Sequence, residues 1–296
     1  MTKFKNNPVH TVPWTIQQVR RNVHTVRTRI NGSGELWVLL MADEHWDNPH
    51  CRLDLLKAHH DEAIKRKALI LKFGDTFCAM QGKFDKRSSK DDVREEHQNG
   101  DYLDSLVSTA AEWYRPYAGN IGIIGQGNHE TAVRARHETD LVERLAERLR
   151  QGGGITTAGG YSGWVRFMIR ATETQCRSFR LFYHHGFGGG GPVTKGLIDF
   201  NRMAEWADAD AIVSGHIHTK TYTTVKRLRL NDSSVPSSDT MHYIRCSTYK
   251  DEYADGAAGY HIEKGRGPRP LGGWWMRLSV AGKAQRLNVE FSDATE

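Results

Sequence analysis

The chain has 296 residues, 38% of them hydrophobic, with 41 Lys and Arg against 35 Asp and Glu, a formal net charge of +6 and a sequence pI of about 9.1. That length suits one large α/β domain or two small ones, and the positive balance favours anionic partners such as nucleic acid or nucleotides. No run approaches the roughly 18 apolar residues of a membrane span, and MTKFKNNPVH lacks the apolar stretch of a signal peptide. Cys51, Cys78, Cys176 and Cys246 are scattered with no C-x-x-C. They read as reduced thiols of a cytoplasmic protein rather than as a disulfide framework.

Residues 1–22 are polar, contain two prolines and read as an N-terminal arm with a short helix at TIQQVRRN. VHTVRTRI (23–30) alternates as a strand does. NGSG (31–34) tolerates positive φ, so a hairpin is expected between 23–30 and the first core strand, 36–42. That strand, WVLLMA, runs directly into Asp43, Glu44, His45 and Asp47. Leu53, Leu56, His60, Ala63 and Ile64 then fall on one helical face, with His59 and His60 read as packed or surface histidines. ALILKF follows as a second buried strand ending at Gly74-Asp75. Strand, helix and strand in this order form a parallel β-α-β unit.

The segment 81–100 is dense in both charges and lacks apolar periodicity, so it reads as a surface insertion, with Lys83, Lys86 and Arg87 as candidate phosphate contacts. DYLDSLVSTAAEWY (101–114) is a helix closed by Pro116. NIGIIG is a strand that leads to Gly127-Asn128-His129-Glu130. DLVERLAERLR (140–150) is an amphipathic helix, in which Asp140 and Arg144 stand at i,i+4. GWVRFMIRA and SFRLFYHHG read as adjacent antiparallel strands, the second ending at His184-His185-Gly186. A four-glycine run, Gly188 to Gly191, suits close approach of a bulky group because glycine has no Cβ. A helix at 196–207 and the strand ADAIVS lead to Gly215-His216-Ile217-His218. KTYTTVKRLRL, TMHYIRCSTY, GGWWMRLSV and AQRLNVEF read as strands of a second sheet. Between them a Gly/Pro/basic loop, 251–272, carries Arg266 and Arg269 as further candidate phosphate contacts, and His261 reads as a surface residue. With no internal repeat and no clear linker, 23–296 reads as a single domain carrying the inserted loops 81–100 and 251–272.

Five short apolar runs thus end in Asp, Asn or His, the side chains that bind first-row metals. Their order, Asp43-x-His45, Gly74-Asp75, Gly127-Asn128-His129-Glu130, His184-His185-Gly186 and Gly215-His216-Ile217-His218, resembles the calcineurin-like metallophosphoesterases. The matched positions, 43 to 218, cover somewhat over half of the chain. The resemblance implies an α/β fold, an αββα sandwich of two facing mixed sheets flanked by helices. It implies a binuclear metal centre, with manganese favoured and Fe, Zn, Co or Ni also compatible with mixed N/O ligation. Carried over by position, Asp43, His45 and His218 join Asp75 at one ion, and Asn128, His185 and His216 join it at the other, with His184 the alternative to His185. An extended Gly-His-Ile-His would aim both histidines the same way.

Two divalent ions close together can bind a phosphate oxygen and an attacking hydroxide at once. His129 resembles the family histidine that contacts the phosphate and protonates the leaving oxygen, with Glu130 expected to orient it. The sequence departs from the family at Cys78, where Asp, Asn or His is usual, and at Asp47, where Gly is usual. Together with the basic charge, the expectation is a metal-dependent phosphodiesterase or nuclease acting on nucleic acid or a nucleotide. The alternatives are a phosphomonoesterase on a small molecule or phosphoprotein, and a catalytically silent nucleic-acid-binding relative.

Overall fold

The computed structural model describes residues 12–31, 34–81, 89, 92–189, 191, 196–254, 260–263, 265–282 and 285–295. Lys83, Lys86 and Arg87 lie outside the described residues. The strands are β1 (Trp14–Arg20), β2 (Val23–Arg29), β3 (Glu35–Met41), β4 (Leu69–Lys72), β5 (Ile121–Ile124), β6 (Thr157–Ala158), β7 (Ser162–Arg170), β8 (Cys176–His184), β9 (Ala211–Ser214), β10 (Thr221–Leu230), β11 (Pro236–Arg245), β12 (Trp274–Ala281) and β13 (Arg286–Asp293). The helices are α1 (Leu53–Lys65), α2 (Tyr102–Tyr114), α3 (Asn128–His137), α4 (Leu141–Gln151), α5 (Leu197–Trp206) and the single turn α6 (Tyr260–Glu263).

Two mixed sheets form, a seven-stranded one in the order β1-β2-β7-β8-β9-β11-β10 and a six-stranded one in the order β13-β12-β3-β4-β5-β6. They face each other across one apolar layer: Val38, Leu40, Leu71, Ile123 and Met276 of the second sheet meet Val165, Phe167, Leu181, Val213 and Ile244 of the first. The outer face of the six-stranded sheet, including Leu39, Met41 and Ile70, is covered by Leu56, Leu106, Val107, Leu141 and Leu145 of α1, α2 and α4. Phe200 and Met203 of α5 cover Phe182, Ile212 and Tyr243 on the outside of the other sheet. Covering both faces explains why β4, β5 and β9 are buried at every position and are apolar but for Lys72 and Ser214 at their ends. The expected four-layer sandwich is therefore the observed one. Among the described residues no helix is long and apolar enough to cross a membrane.

Several local expectations are corrected. TIQQVRRN is not a helix, because Trp14–Arg20 is an edge strand paired antiparallel with β2. Buried Trp14 anchors it through a bond from Nε1 to the Lys67 carbonyl, 2.8 Å. Tertiary pairing overrides a weak local preference. β2 and β3 do not form a hairpin. β2 pairs with β1 and β7, and β3 with β12 and β4, so the turn between them carries the chain from one sheet to the facing one. The last four strands are also divided: β10 and β11 extend the seven-stranded sheet, whereas β12 and β13 extend the six-stranded sheet beside β3. Asp140 and Arg144 do not pair. Asp140 caps α4 by accepting from Glu143 N and lies 3.7 Å from Arg134, while Arg144 bonds Asp104. Both helix histidines are packed. His60 sits among the rings of Trp113, Tyr114 and Tyr117, and His59 bonds the Tyr249 hydroxyl at 2.8 Å. The end of the charged insertion is partly internal, with Val93 and His97 buried.

Candidate metal centre

β3, β4, β5, β8 and β9 all deliver their following residues to one place. The chain then reverses sharply: Asp43, His45, Asp75, His216 and His218 have φ of 52, 46, 50, 75 and 55°. Left-handed backbone is uncommon for residues other than glycine and persists where surrounding contacts over-determine it. Here the loops after β3 and β4 are laced together by Asp43 N to Gly74 O, 3.0 Å, His45 N to Asp75 O, 3.0 Å, and Trp46 N to Thr76 O, 2.8 Å. Gly-His-Ile-His is not extended. Its two histidines converge through these left-handed turns rather than by strand alternation.

Two glycines permit the close approach of the loops. A Cβ on Gly127 would lie 2.0 Å from Asp75 Oδ1, and one on Gly215 would lie 2.3 Å from Asp43 Oδ2. The donors themselves are aimed by their second polar atoms. His185 Nδ1 bonds the Phe73 carbonyl at 2.9 Å, which leaves Nε2 3.2 Å from Asp75 Oδ2 and 3.1 Å from Asn128 Oδ1. His216 Nε2 bonds the Gly188 carbonyl at 3.0 Å, and its Nδ1 stands 2.8 Å from the same Asn128 oxygen. His45 Nε2 and His218 Nε2 are 3.2 Å apart. His184 is not in the cluster. It faces the outer layer, against the rings of Phe187 and Trp206, and its Nδ1 accepts from Gly186 N at 3.0 Å. Position 185 is thus the one brought to the centre.

Asp43, His45 and His218 present donor atoms within 4.8 Å of one another, as do Asp43, Asp75 and His185. Asp43 Oδ1 is buried with no hydrogen-bond partner, although it lies 3.5 Å from His218 Nε2 and 4.0 Å from His185 Nε2. A buried carboxylate oxygen left unpaired is costly and rare. Oxygen and imidazole donors converging around it are the ligand chemistry of a first-row divalent cation, so the residues fit such ions. At His185 burial disfavours the imidazolium, but the Asp75 charge outweighs it and raises the pKa to about 10. His45, desolvated by burial and next to His129 and His218, is held well below the ordinary histidine value.

His129 has its ring beside the cluster, edge-on to His45 with centroids 5.0 Å apart. Its Nδ1 bonds the Cys78 carbonyl and its Nε2 lies 3.8 Å from Asp75 Oδ2. The orienting group is that carbonyl. Glu130 instead accepts from Asp75 N (3.1 Å), Phe77 N (2.9 Å) and Gly127 N (2.8 Å), which makes it a clamp on the Asp75 turn and corrects its expected role. Burial, reinforced by the Asp75 charge, pushes the Glu130 carboxyl up to about 8.

Sequence reading missed a second clamp, Asp47. It is buried, with Oδ1 accepting from Cys78 N at 2.6 Å and Oδ2 from Ala79 N at 2.9 Å. The departure from the family pattern at that position was the available signal. It missed Tyr161 as well, whose hydroxyl bonds Gly186 O at 3.0 Å and whose ring lies 5.3 Å from both His184 and His185. Behind the motif, Glu44 and Lys72 form a fully buried pair at 3.0 Å, with Lys72 Nζ 3.5 Å from the centroid of the Tyr114 ring. Of the basic candidates, Arg266 brings Nη2 to 3.9 Å from where a Gly189 Cβ would stand, next to the Gly188 carbonyl that holds His216. Arg269 has a buried Nε with no hydrogen-bond partner.

The four layers and the order of donors along the chain match what the resemblance to the calcineurin-like metallophosphoesterases implies. No family model matches the chain and no curated protein does. Similar solved structures include a predicted phosphoesterase of Streptococcus pneumoniae at 11% identity, covering 89% of this chain and 92% of that one, TM-score 0.34. They also include Vps29 of Chaetomium thermophilum at 8% identity, with 87% and 94% covered and a TM-score of 0.37. A Vps29 of Entamoeba histolytica complexed with zinc is 11% identical, with 88% and 100% covered and a TM-score of 0.30. At such scores none of them assigns an activity to this chain.

Proposed function

We propose that the chain is a two-metal phosphoesterase, with manganese as the working cofactor and a phosphodiester of nucleic acid or a nucleotide as substrate. The observation that carries the reading is the unpaired, buried Asp43 Oδ1 facing histidines that follow separate strands. Asp43, His45 and His218 would hold one ion and Asn128, His185 and His216 the other, with Asp75 shared. Such ions polarise a phosphoryl oxygen and lower the pKa of water.

The chain's own part is positioning and proton transfer. Glu130 and Asp47 hold the Asp75 and Cys78 turns through five backbone N–H groups. The Cys78 carbonyl turns His129 so that Nε2 is the nitrogen on the Asp75 side. A leaving oxygen held there takes its proton from Nε2, a general-acid contribution of roughly 10²–10⁴-fold. The basic balance of the chain and the place of Arg266 beside Gly189 support a polyanionic diester.

The test compares bis(p-nitrophenyl) phosphate with p-nitrophenyl phosphate in the presence of Mn²⁺. Faster turnover of the diester, abolished by chelation and restored by Mn²⁺, is expected. Full activity in excess EDTA after exhaustive dialysis refutes the assignment, and preference for the monoester transfers the substrate to phosphomonoesters.

A further inference from the structure

The second loop of the centre carries a thiol that the two-ion scheme does not use. We infer that Cys78, with His45 and His129, forms a site for one soft divalent cation, zinc or cadmium, at the edge of the metal centre. The three residues offer donor atoms within 4.8 Å of one another. Cys78 is 2% exposed, and its sulfur receives a hydrogen bond from Asn48 Nδ2 at 3.5 Å. His45 is 3% exposed, and its Nδ1 is buried with no hydrogen-bond partner. His129 is held through Nδ1 by the Cys78 carbonyl, which leaves Nε2 as its free donor.

The buried Asp47 carboxyl accepts from Cys78 N at 2.6 Å, and burial together with Asp47 holds the Cys78 thiol well above its ordinary value, so the cation must displace the thiol proton. The nearby Lys250 ammonium is compensated by Glu252 at 3.5 Å and Asp92 at 3.7 Å. Zinc bonds nitrogen and sulfur at about 2.0–2.3 Å, so the three donors, within 4.8 Å of one another, draw in around the ion. One thiolate and two imidazoles select soft or borderline ions over manganese or magnesium. As the metal–sulfur bond forms, the thiol proton passes to solvent; a neutral imidazole has one lone pair, so His45 bound here is withdrawn from the ion it would share with Asp43 and His218, and the two sites compete. A cation there occupies His129 Nε2, so an excess of zinc would suppress proton delivery to the leaving oxygen. That consequence rests on the phosphoesterase reading, whereas the site does not.

The test uses the full chain with Cys176→Ser, which removes the exposed cysteine, the other three being buried. Cadmium is titrated into the protein without added Mn²⁺ while the ultraviolet charge-transfer absorbance of the cadmium–thiolate bond is followed. One equivalent should produce the band. Adding Cys78→Ser should abolish it, and adding His129→Asn instead should weaken cadmium binding by roughly 10-fold or more. No band with Cys176→Ser alone, or a band of equal strength with Cys78→Ser, overturns the site. If Cys78→Ser does not fold, cadmium NMR of the Cys176→Ser protein decides between a sulfur-containing and an all-nitrogen-and-oxygen shell, the latter being the refutation. Absence of phosphoester hydrolysis would remove the proposed function and leave the optical result standing.

Discussion

Glu44 sits between two candidate ligands, Asp43 and His45, yet faces away from the centre to bond Lys72 at 3.0 Å and the Tyr114 hydroxyl. Both charged side chains are buried, with 0 and 1% exposure for Lys72 and Glu44. Replacing Glu44 with Ala therefore leaves an ammonium with no counter-charge beneath the first loop. Breaking a buried pair from one side costs about 3–5 kcal/mol, because the remaining charge stays desolvated. Lys72 also loses its share of the hydrogen bonding, although its contact with the Tyr114 ring remains. Replacing both partners with apolar residues, Glu44→Leu with Lys72→Met, removes the charges together and is expected to recover most of the loss, leaving a penalty of about 1–2 kcal/mol for the imperfect fit. Urea unfolding of the wild type, Glu44→Leu, Lys72→Met and the double variant gives the coupling energy directly, with Glu44→Ala measured alongside. If the pair is scaffold alone, the double variant also retains its metal content. A Glu44→Ala cost below about 1 kcal/mol, or strict additivity of the two single changes, would refute the account of the buried pair.

Asp75→Asn removes the one carboxylate shared by both proposed ions, so at least one divalent ion per chain and nearly all hydrolysis should be lost while the fold persists. Metal analysis beside circular dichroism checks this, and two retained ions with unchanged turnover would exclude Asp75 as the bridge. His129→Asn should keep both ions and lower turnover of a natural diester far more than that of a nitrophenyl ester, whose leaving group needs no proton. Equal losses on the two substrates would exclude the acid role. His24, buried in β2 with Nε2 2.9 Å from Thr157 Oγ1, is held by burial at a pKa of about 4 instead of 6.5. Below pH 6.5 the unfolded chain takes up a proton that the folded one refuses, so stability should fall by up to about 3 kcal/mol as pH drops from 6.5 to 4. His24→Gln should flatten that part of the profile, and an unchanged slope would refute the assignment.

Most of the candidate centre was legible along the chain because each donor stands directly after an apolar run. A strand covered on both faces is largely apolar, as β4, β5 and β9 are apart from Lys72 and Ser214 at their ends, so a switch to Asp, Asn or His follows it closely. α1, α2 and α4 were equally readable from their apolar stripes, whereas α3, which starts at Asn128 itself and buries only Glu130 and Val133, was not. Sheet membership was not. β2 and β3, or β11 and β12, carry patterns that suit either sheet, and the choice depends on partners far away in sequence. Nor does alternation reveal an edge strand as exposed as β1, in which Trp14 alone is buried and whose pairing with β2 overrides local preference.

Residue chemistry along the sequence determined which side chains could meet a cation and in what order. The aim of those side chains was decided by tertiary structure. His185 reaches the cluster rather than His184 because His184 packs outward against Trp206, while the carbonyl of Phe73, from another strand, fixes the next imidazole. Glu130 lies beside His129 in sequence but clamps the turns of Asp75, Phe77 and Gly127, whose three N–H groups only the fold brings to one carboxylate. The reason is that strand ends specify where a donor emerges, whereas its direction depends on left-handed turns held by hydrogen bonds between loops remote in sequence.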